Sequence, residues 1–257
     1  MTASSVPNKA LVTGAGGFIA RHLIAALETG GCRVTGVDSR PADQGQRETV
    51  CADICDTGAM TELMVRERPD AVFNLAAVLG RDEGGQALRS CITVNLEGAL
   101  TVARTAAAAG VKRIVLMGSA EELGEQPGPH DEDMAAQPLS PYGISKAAMT
   151  WMALATYREL GAPVVVMRPT TVYGPGQPEA LFVSQAVRAA VGGQRFEMSA
   201  GTQCRDMVFV SDVVRALVAA ATAPDVVGQI INVASGQPWA LRDVAARIWE
   251  LSGTEAE

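Results

Sequence analysis

Lys9-Ala10-Leu11-Val12-Thr13 runs straight into Gly14-Ala15-Gly16-Gly17-Phe18-Ile19-Ala20. A short apolar run, a glycine turn and then an amphipathic stretch predict a strand that hands over to a helix. Gly14 permits the tight turn, and Gly17 lets the backbone approach a pyrophosphate. Ala20, small like the glycine usual there, lets helix and sheet pack closely. Free N–H groups at the helix start attract phosphate. Gly14, Gly16, Gly17, Phe18 and Ile19 are therefore candidate dinucleotide-binding residues. Asp38 ends the next strand, about 20 residues on, where a carboxylate can accept hydrogen bonds from both ribose hydroxyls of an adenosine. That charge repels a 2′-phosphate, so NAD is favoured over NADP, with Arg40 pulling the other way.

Outward from this loop the same rhythm repeats. Strands are predicted at Arg33–Asp38, Ala71–Leu75, Arg113–Met117 and Val164–Arg168. Helices are predicted at Phe18–Thr29, Thr57–Arg68, Val94–Ala109 and Ser140–Leu160, with Ser140 as cap and Pro141 in the first turn. Strands this apolar, alternating with helices, predict an α/β fold: a Rossmann-type doubly wound parallel sheet covered on both faces. After Pro169 the rhythm loosens, and Gly174-Pro175-Gly176 and Gly192-Gly193 break the chain. The expected organisation is an NAD(P)-binding domain over residues 1–169 and a smaller C-terminal mixed α/β substrate lobe over 170–257, interleaved with it. A further helix is expected over Leu241–Leu251.

Composition narrows the function classes. With 48% hydrophobic and 19% charged residues, the chain is neither disordered nor fibrous. A net charge of −7 disfavours nucleic acid and anionic membrane as partners. No run of about 18 apolar residues occurs, so no membrane span is expected. Five cysteines, an odd number without a CxxC pair, argue for a reduced, cytoplasmic protein. His22 and His130 lie far apart, so no metal site is expected. Asp131-Glu132-Asp133 reads as a solvated loop.

Tyr142 and Lys146 stand four apart at the start of a predicted helix, on one face. A phenol is a poor base at neutral pH, and a neighbouring ammonium stabilises the phenolate. Such a tyrosine can move a proton at an alcohol oxygen while hydride moves to or from a nicotinamide. Ser119 follows the Arg113–Met117 strand and can hydrogen-bond the same oxygen.

The ordered segments TGAGGFIA (13–20), ADICD (52–56), NLAA (74–77), VNLEGAL (94–100), GSAEELG (118–124), SPYGISK (140–146), RPTTVYGPGQ (168–177), RDMVFVSDVVRA (205–216) and INVASG (231–236), with Asp38, span nearly the whole chain. In them the sequence resembles the extended short-chain dehydrogenase/reductases of the NAD-dependent epimerase/dehydratase family. The resemblance implies that Tyr142 is the acid/base, that Lys146 also binds the nicotinamide ribose and that Ser119 orients the substrate. It places Asp53 and Ile54 near the adenine, lines the cofactor cleft with Leu75, Ala76 and Ala77, and sets Asn95 below it. It implies a nucleotide-sugar substrate met by Ser119, Glu121, Thr171 and Arg205. It also implies a homodimer through helices 94–109 and 142–160, where Leu100, Val102, Trp151, Met152 and Leu154 carry apolar surface. The family usually continues several dozen residues further, so a shortened C-terminal lobe is expected.

Three departures bear on the substrate: Asn74 stands where the family often has histidine, Thr171 where it often has asparagine, and Leu123 where it usually has tyrosine. Ala120-Glu121 replaces the Asp-Glu pair typical of 4,6-dehydratases, which argues against elimination of water. The expected reaction is 4-epimerisation through a transient 4-keto sugar. The alternative is reduction of a nucleotide 4-keto-6-deoxysugar, to whose enzymes GSAEELG, SPYGISKA and GPGQ are similar. A 4,6-dehydratase and a non-catalytic NAD-binding protein are less favoured.

Overall fold

The computed structural model describes residues 6–41, 48–80 and 85–253 of the 257. The chain divides into two compact units, Met1–Pro169 with Ser211–Val233, and Thr170–Val210 with Ala234–Glu257.

The first unit is built on β1 (Lys9–Thr13), β2 (Arg33–Asp38), β3 (Val50–Cys51), β4 (Ala71–Asn74), β5 (Arg113–Met117), β6 (Val164–Pro169) and β9 (Ile230–Val233). They form one parallel sheet in the order β3-β2-β1-β4-β5-β6-β9, with Thr13 opposite Val37 on one side and Asn74 on the other. Strand order reverses at β1, so a crevice opens at the C-terminal ends of β1 and β4, where such sheets bind ligands. This is the doubly wound sheet expected from the sequence. The two-residue β3 is too short to leave a sequence signal.

The helices are set by their ends. In α1 (Phe18–Thr29), Leu23, Ile24 and Leu27 are buried. In α2 (Thr57–Glu67), the Asp56 side chain accepts from the Ala59 amide, and Arg68 closes the helix in left-handed conformation just before Pro69. Ser140 caps α5 (Pro141–Leu160) by accepting from the Gly143 amide at 2.9 Å, and left-handed Gly161 ends it. The helix expected over 94–109 begins earlier: α3 (Gln86–Ser90) passes through a π-helical stretch, Cys91–Gly98, into α4 (Ala99–Ala108). Its start at Gly85 has no side-chain cap, which is why the sequence carries no start signal there. Leu11, Val72, Ile114, Leu116, Val164 and Val166 of the sheet pack with Met60, Leu63, Met64, Val102, Ala106, Met149 and Ala153 of the helices. Each buried Val, Leu, Ile or Met side chain among these contributes about 1.5–3 kcal/mol. Arg113 of β5 donates to the Ala220 and Ala223 carbonyls at the end of α7 (Val210–Thr222), tying that helix to the sheet.

In the second unit, β7 (Thr171–Tyr173) pairs in parallel with β8 (Cys204–Phe209), which pairs antiparallel with β10 (Pro238–Ala240). Ala186, Ala189 and Ala190 of α6 (Phe182–Val191) pack on Ala245 and Trp249 of α8 (Leu241–Ser252), with Phe182 and Phe196 beside them. Among the described residues, no helix is long and apolar enough to cross a membrane, and no cluster of His, Cys, Asp and Glu is of metal-binding size.

Candidate active site

The β1–α1 loop is shaped by its glycines. Gly14 has φ +64, and a Cβ there would lie 2.8 Å from both Cα and N of Ala76. The turns after β1 and β4 thus meet at the crevice, where only a bare Gly14 fits. Thr13 Oγ1 donates to Asn74 Oδ1 at 2.6 Å and accepts from the Ala76 amide at 3.3 Å, fixing the same junction. Gly16 and Gly17 are exposed. Gly17 opens α1 with no side-chain cap, and the first turn carries no acidic residue. Its leading N–H groups are thus left for a phosphate.

Asp38 faces the loop. Its carboxylate accepts from the Gly16 amide at 3.0 Å through Oδ2 and from the Arg40 amide at 3.2 Å through Oδ1. Two carboxylate oxygens hold about four lone-pair sites, so acceptor capacity remains for ribose hydroxyls. The Arg40 side chain is 85% exposed and 3.9 Å away, a contact worth little in water. The bare loop, the uncapped helix and this carboxylate fit a dinucleotide. Leu75 and Ala76 are half-buried and Ala77 is exposed, all on the turn after β4. Asp53 accepts from the Cys55 amide and is exposed, while the Ile54 side chain is buried in the core, where Gly98 makes room for it.

Ser119, Tyr142 and Lys146 come together where β5 ends and α5 begins. Gly143 allows the approach: a Cβ there would sit 2.6 Å from the Glu121 carbonyl oxygen. Lys146 is buried and its Nζ donates to the Met117 carbonyl at 2.7 Å, 5.7 Å from the centroid of the Tyr142 ring. Burial pushes the Lys146 ammonium down to about 8, against the pull of Glu122 and Cys91. Burial likewise pushes the Tyr142 phenol up; the Glu121 carboxylate adds to this and a hydrogen bond with Ser119 opposes it. One of the three Lys146 N–H donors is used on Met117, and in the cofactor-free protein burial is the largest influence on the Tyr142 phenol.

Glu121 is exposed and its Oε2 accepts from Ser140 Oγ at 2.8 Å, beside the helix start. Asn95 is buried within the π-helical stretch. Its Nδ2 donates to the Val78 carbonyl and to Ser145 Oγ, both at 2.9 Å, and its Oδ1 accepts from the Val78 amide. It links the segment after β4 to the residue beside Lys146. Thr171 and Arg205 lie in the second unit, on adjacent strands, and Arg205 donates to the Cys204 carbonyl.

Sequence reasoning passed over Glu122, Thr150 and Arg168. Glu122 is buried, with Thr150, Arg168 and the Ser119 amide as its partners. The signal was present: Ser119-x-x-Glu122 is a capping box, and it closes a 3₁₀ turn over Ala120–Glu122.

A family model described as the NAD dependent epimerase/dehydratase family matches residues 10–234. The UDP-glucose 4-epimerase of Mycolicibacterium smegmatis is 33% identical over 257 aligned residues, covering 93% of this chain and 81% of that protein. The solved structure of MoeE5 in complex with UDP-glucose and NAD superposes with a TM-score of 0.85 at 34% identity, covering 95% of this chain and 82% of that one. That of the UDP-glucose 4-epimerase of Thermotoga maritima with UDP-glucose gives 0.88 at 28% identity, covering 97% and 84%. The match runs through both the glycine loop and the Ser119–Tyr142–Lys146 cluster, and the chain is an enzyme belonging to the NAD-dependent epimerase/dehydratase family.

Proposed function

We propose that this chain is a nucleotide-sugar 4-epimerase acting on a UDP-activated hexose through a transient 4-keto sugar. The observation that carries this reading is the gathering of Ser119, Tyr142 and Lys146 at the β5–α5 junction, with Ala120 in place of an acid. NAD, when bound, supplies a hydride acceptor and a positively charged ring. Gly14, Gly16, Gly17, Phe18 and Ile19 hold its pyrophosphate, Asp38 its adenosine ribose, and Asp53, Ile54 and Leu75–Ala77 flank it. Tyr142 would act from its phenolate, which the positive charge of Lys146 and of bound NAD favours, taking the proton of the C4 hydroxyl as that carbon loses hydride and returning it when the ketone is reduced from its other face. Ser119 donates a hydrogen bond to the same oxygen, and Lys146 binds the nicotinamide ribose and keeps positive potential near the phenol. Redox balance closes within one turnover, so the product is an isomer. Ala120 offers no acid to expel a hydroxyl, which sets elimination aside.

Thr171, Arg205 and Glu121 are assigned to the nucleotide sugar. We assign a cytoplasmic location, supported by five cysteines outside any disulfide. We assign a homodimer, supported by the exposed Trp151 and Met152 and the half-buried Leu100 on the two helices expected to pair; Val102 and Leu154, expected to carry apolar surface there, are buried instead. The alternative, a 4-keto-6-deoxysugar reductase, uses the same three residues and is favoured by Arg40 beside Asp38.

The test is proton NMR of purified protein with UDP-glucose and no added reductant. Appearance of the 4-epimer supports the reading. No epimer, together with NADPH consumption on a nucleotide 4-keto-6-deoxysugar, selects the reductase.

A further inference from the structure

Beneath Ser119 lies an ion pair that the steps above leave unused. The Glu122 and Arg168 side chains are 0% and 3% exposed. Glu122 Oε2 accepts from Arg168 Nη2 at 2.9 Å, Arg168 Nε at 3.2 Å and Thr150 Oγ1 at 2.8 Å. Its other oxygen, Oε1, accepts from the Ser119 amide at 2.9 Å. Taking two charges out of water is costly, and an apolar pair of similar volume is often as stable or more so. Arg168 Nη1 is buried without a hydrogen-bond partner, which adds to that cost.

What the carboxylate does, and an apolar side chain cannot, is connect three elements. Ser119 stands in extended conformation at the end of β5, Thr150 lies one turn beyond Lys146 on α5, and Arg168 belongs to β6. One carboxylate therefore ties the backbone of Ser119 to the helix that carries Tyr142 and Lys146. Gly118 makes room for it: a Cβ there would lie 2.6 Å from Glu122 Oε1.

We infer that Glu122 is a positioning residue: its carboxylate, anchored by Arg168 and Thr150, fixes Ser119 against the face of α5 that bears Tyr142 and Lys146. This rests on the catalytic roles proposed above for those three residues.

A single substitution of Glu122 strands the Arg168 charge and threatens the fold. The decisive variant is Glu122→Leu with Arg168→Met, which removes both charges and keeps the space filled. The expected result is a folded protein with unchanged NAD affinity, KM within about twofold of wild type and kcat lower by about 10²-fold, the effect of a reacting group misplaced by about 1 Å. In a Ser119→Ala background the same pair of changes should cost no further kcat, because the group it positions is gone. Hydrogen exchange at the Ser119 amide should rise by more than tenfold, with or without turnover. If the paired variant does not fold, Thr150→Val is the substitute: it keeps the ion pair and should lower kcat severalfold while Ser119 exchange rises. An equal loss of kcat in the Ser119→Ala background overturns the inference, as does unchanged exchange at Ser119. Should wild type fail to epimerise any UDP-hexose, the functional reading fails, and exchange at Ser119 still decides the positioning role.

Discussion

Lys146 Nζ donates to the Met117 carbonyl at 2.7 Å while standing 5.7 Å from the centroid of the Tyr142 ring. The bond fixes the ammonium at the C-terminal end of β5, inside a buried environment that lowers its affinity for a proton from the ordinary 10.5 to about 8. Between those two values the unfolded chain binds more protons than the folded one, so this group makes stability rise with pH across that window. Below about 8 both states hold the proton and the buried charge costs on the order of 3 kcal/mol. Lys146→Met removes that charge. The stability of wild type relative to Lys146→Met is therefore expected to improve from pH 8 to 10.5, measured by urea unfolding at each pH on cofactor-free protein. Constant relative stability across that range would contradict the assignment. Activity should run the other way, falling above about pH 8 as the ammonium is lost.

Tyr142→Phe tests the proton step. In the cofactor-free protein the phenol is pushed up by burial and by Glu121, and Phe fills the same space without the exchangeable proton. Turnover should fall by about 10²–10⁴-fold, the usual contribution of a placed acid/base. Bound NAD, measured by mass after denaturation, should stay near the wild-type amount. Retained turnover would move the acid/base role elsewhere, and loss of NAD would make Tyr142 a binding residue.

The sheet and its helices were legible because their signals are local. Pro69 and Gly161 mark where helices end, Asp56 and Ser140 open them, and short β-branched apolar runs such as Val164–Arg168 between them favour buried strands. Asp38 beside the loop was legible too, since a strand end about 20 residues on returns to the same edge. The Glu122–Arg168 pair was less legible because its partners lie 46 residues apart and meet only through the sheet. The Tyr142 phenol could not be judged from spacing either. A four-residue interval puts Lys146 on its face, but the balance of burial, Glu121 and Ser119 is a property of the packed structure. Within the π-helical stretch Asn95 bonds to Val78 and Ser145, contacts that no periodicity announces.

Asp38 carries a prediction about cofactor choice. Its two oxygens are held by the Gly16 and Arg40 amides, which aim the carboxylate at the loop. Asp38→Ser keeps a short hydrogen-bonding side chain and removes the charge that repels a 2′-phosphate, leaving Arg40 beside it. NAD affinity should weaken by about tenfold, or about 1.4 kcal/mol, and NADP affinity should rise by a similar factor. Titration calorimetry with each dinucleotide reads both. An unchanged ratio of the two affinities would show that this carboxylate does not select the cofactor.

Gly14 and Gly31 separate two costs at one kind of position. Both have positive φ, +64 and +88, so alanine is strained at either. At Gly31 a new Cβ meets nothing within 4 Å, whereas at Gly14 it lies 2.8 Å from the backbone of Ala76. Gly31→Ala should therefore cost about 1 kcal/mol from backbone strain alone. Gly14→Ala should cost at least about 2 kcal/mol, because the turns after β1 and β4 must part to admit the methyl group. Parting them widens the crevice at the reversal of strand order, so NAD binding should fall with stability in Gly14→Ala and remain intact in Gly31→Ala. Chemical denaturation and dinucleotide titration of the two variants check this together. Equal loss of stability would mean that the Gly14–Ala76 approach carries no weight, and equal NAD affinity would mean that the junction does not shape the site.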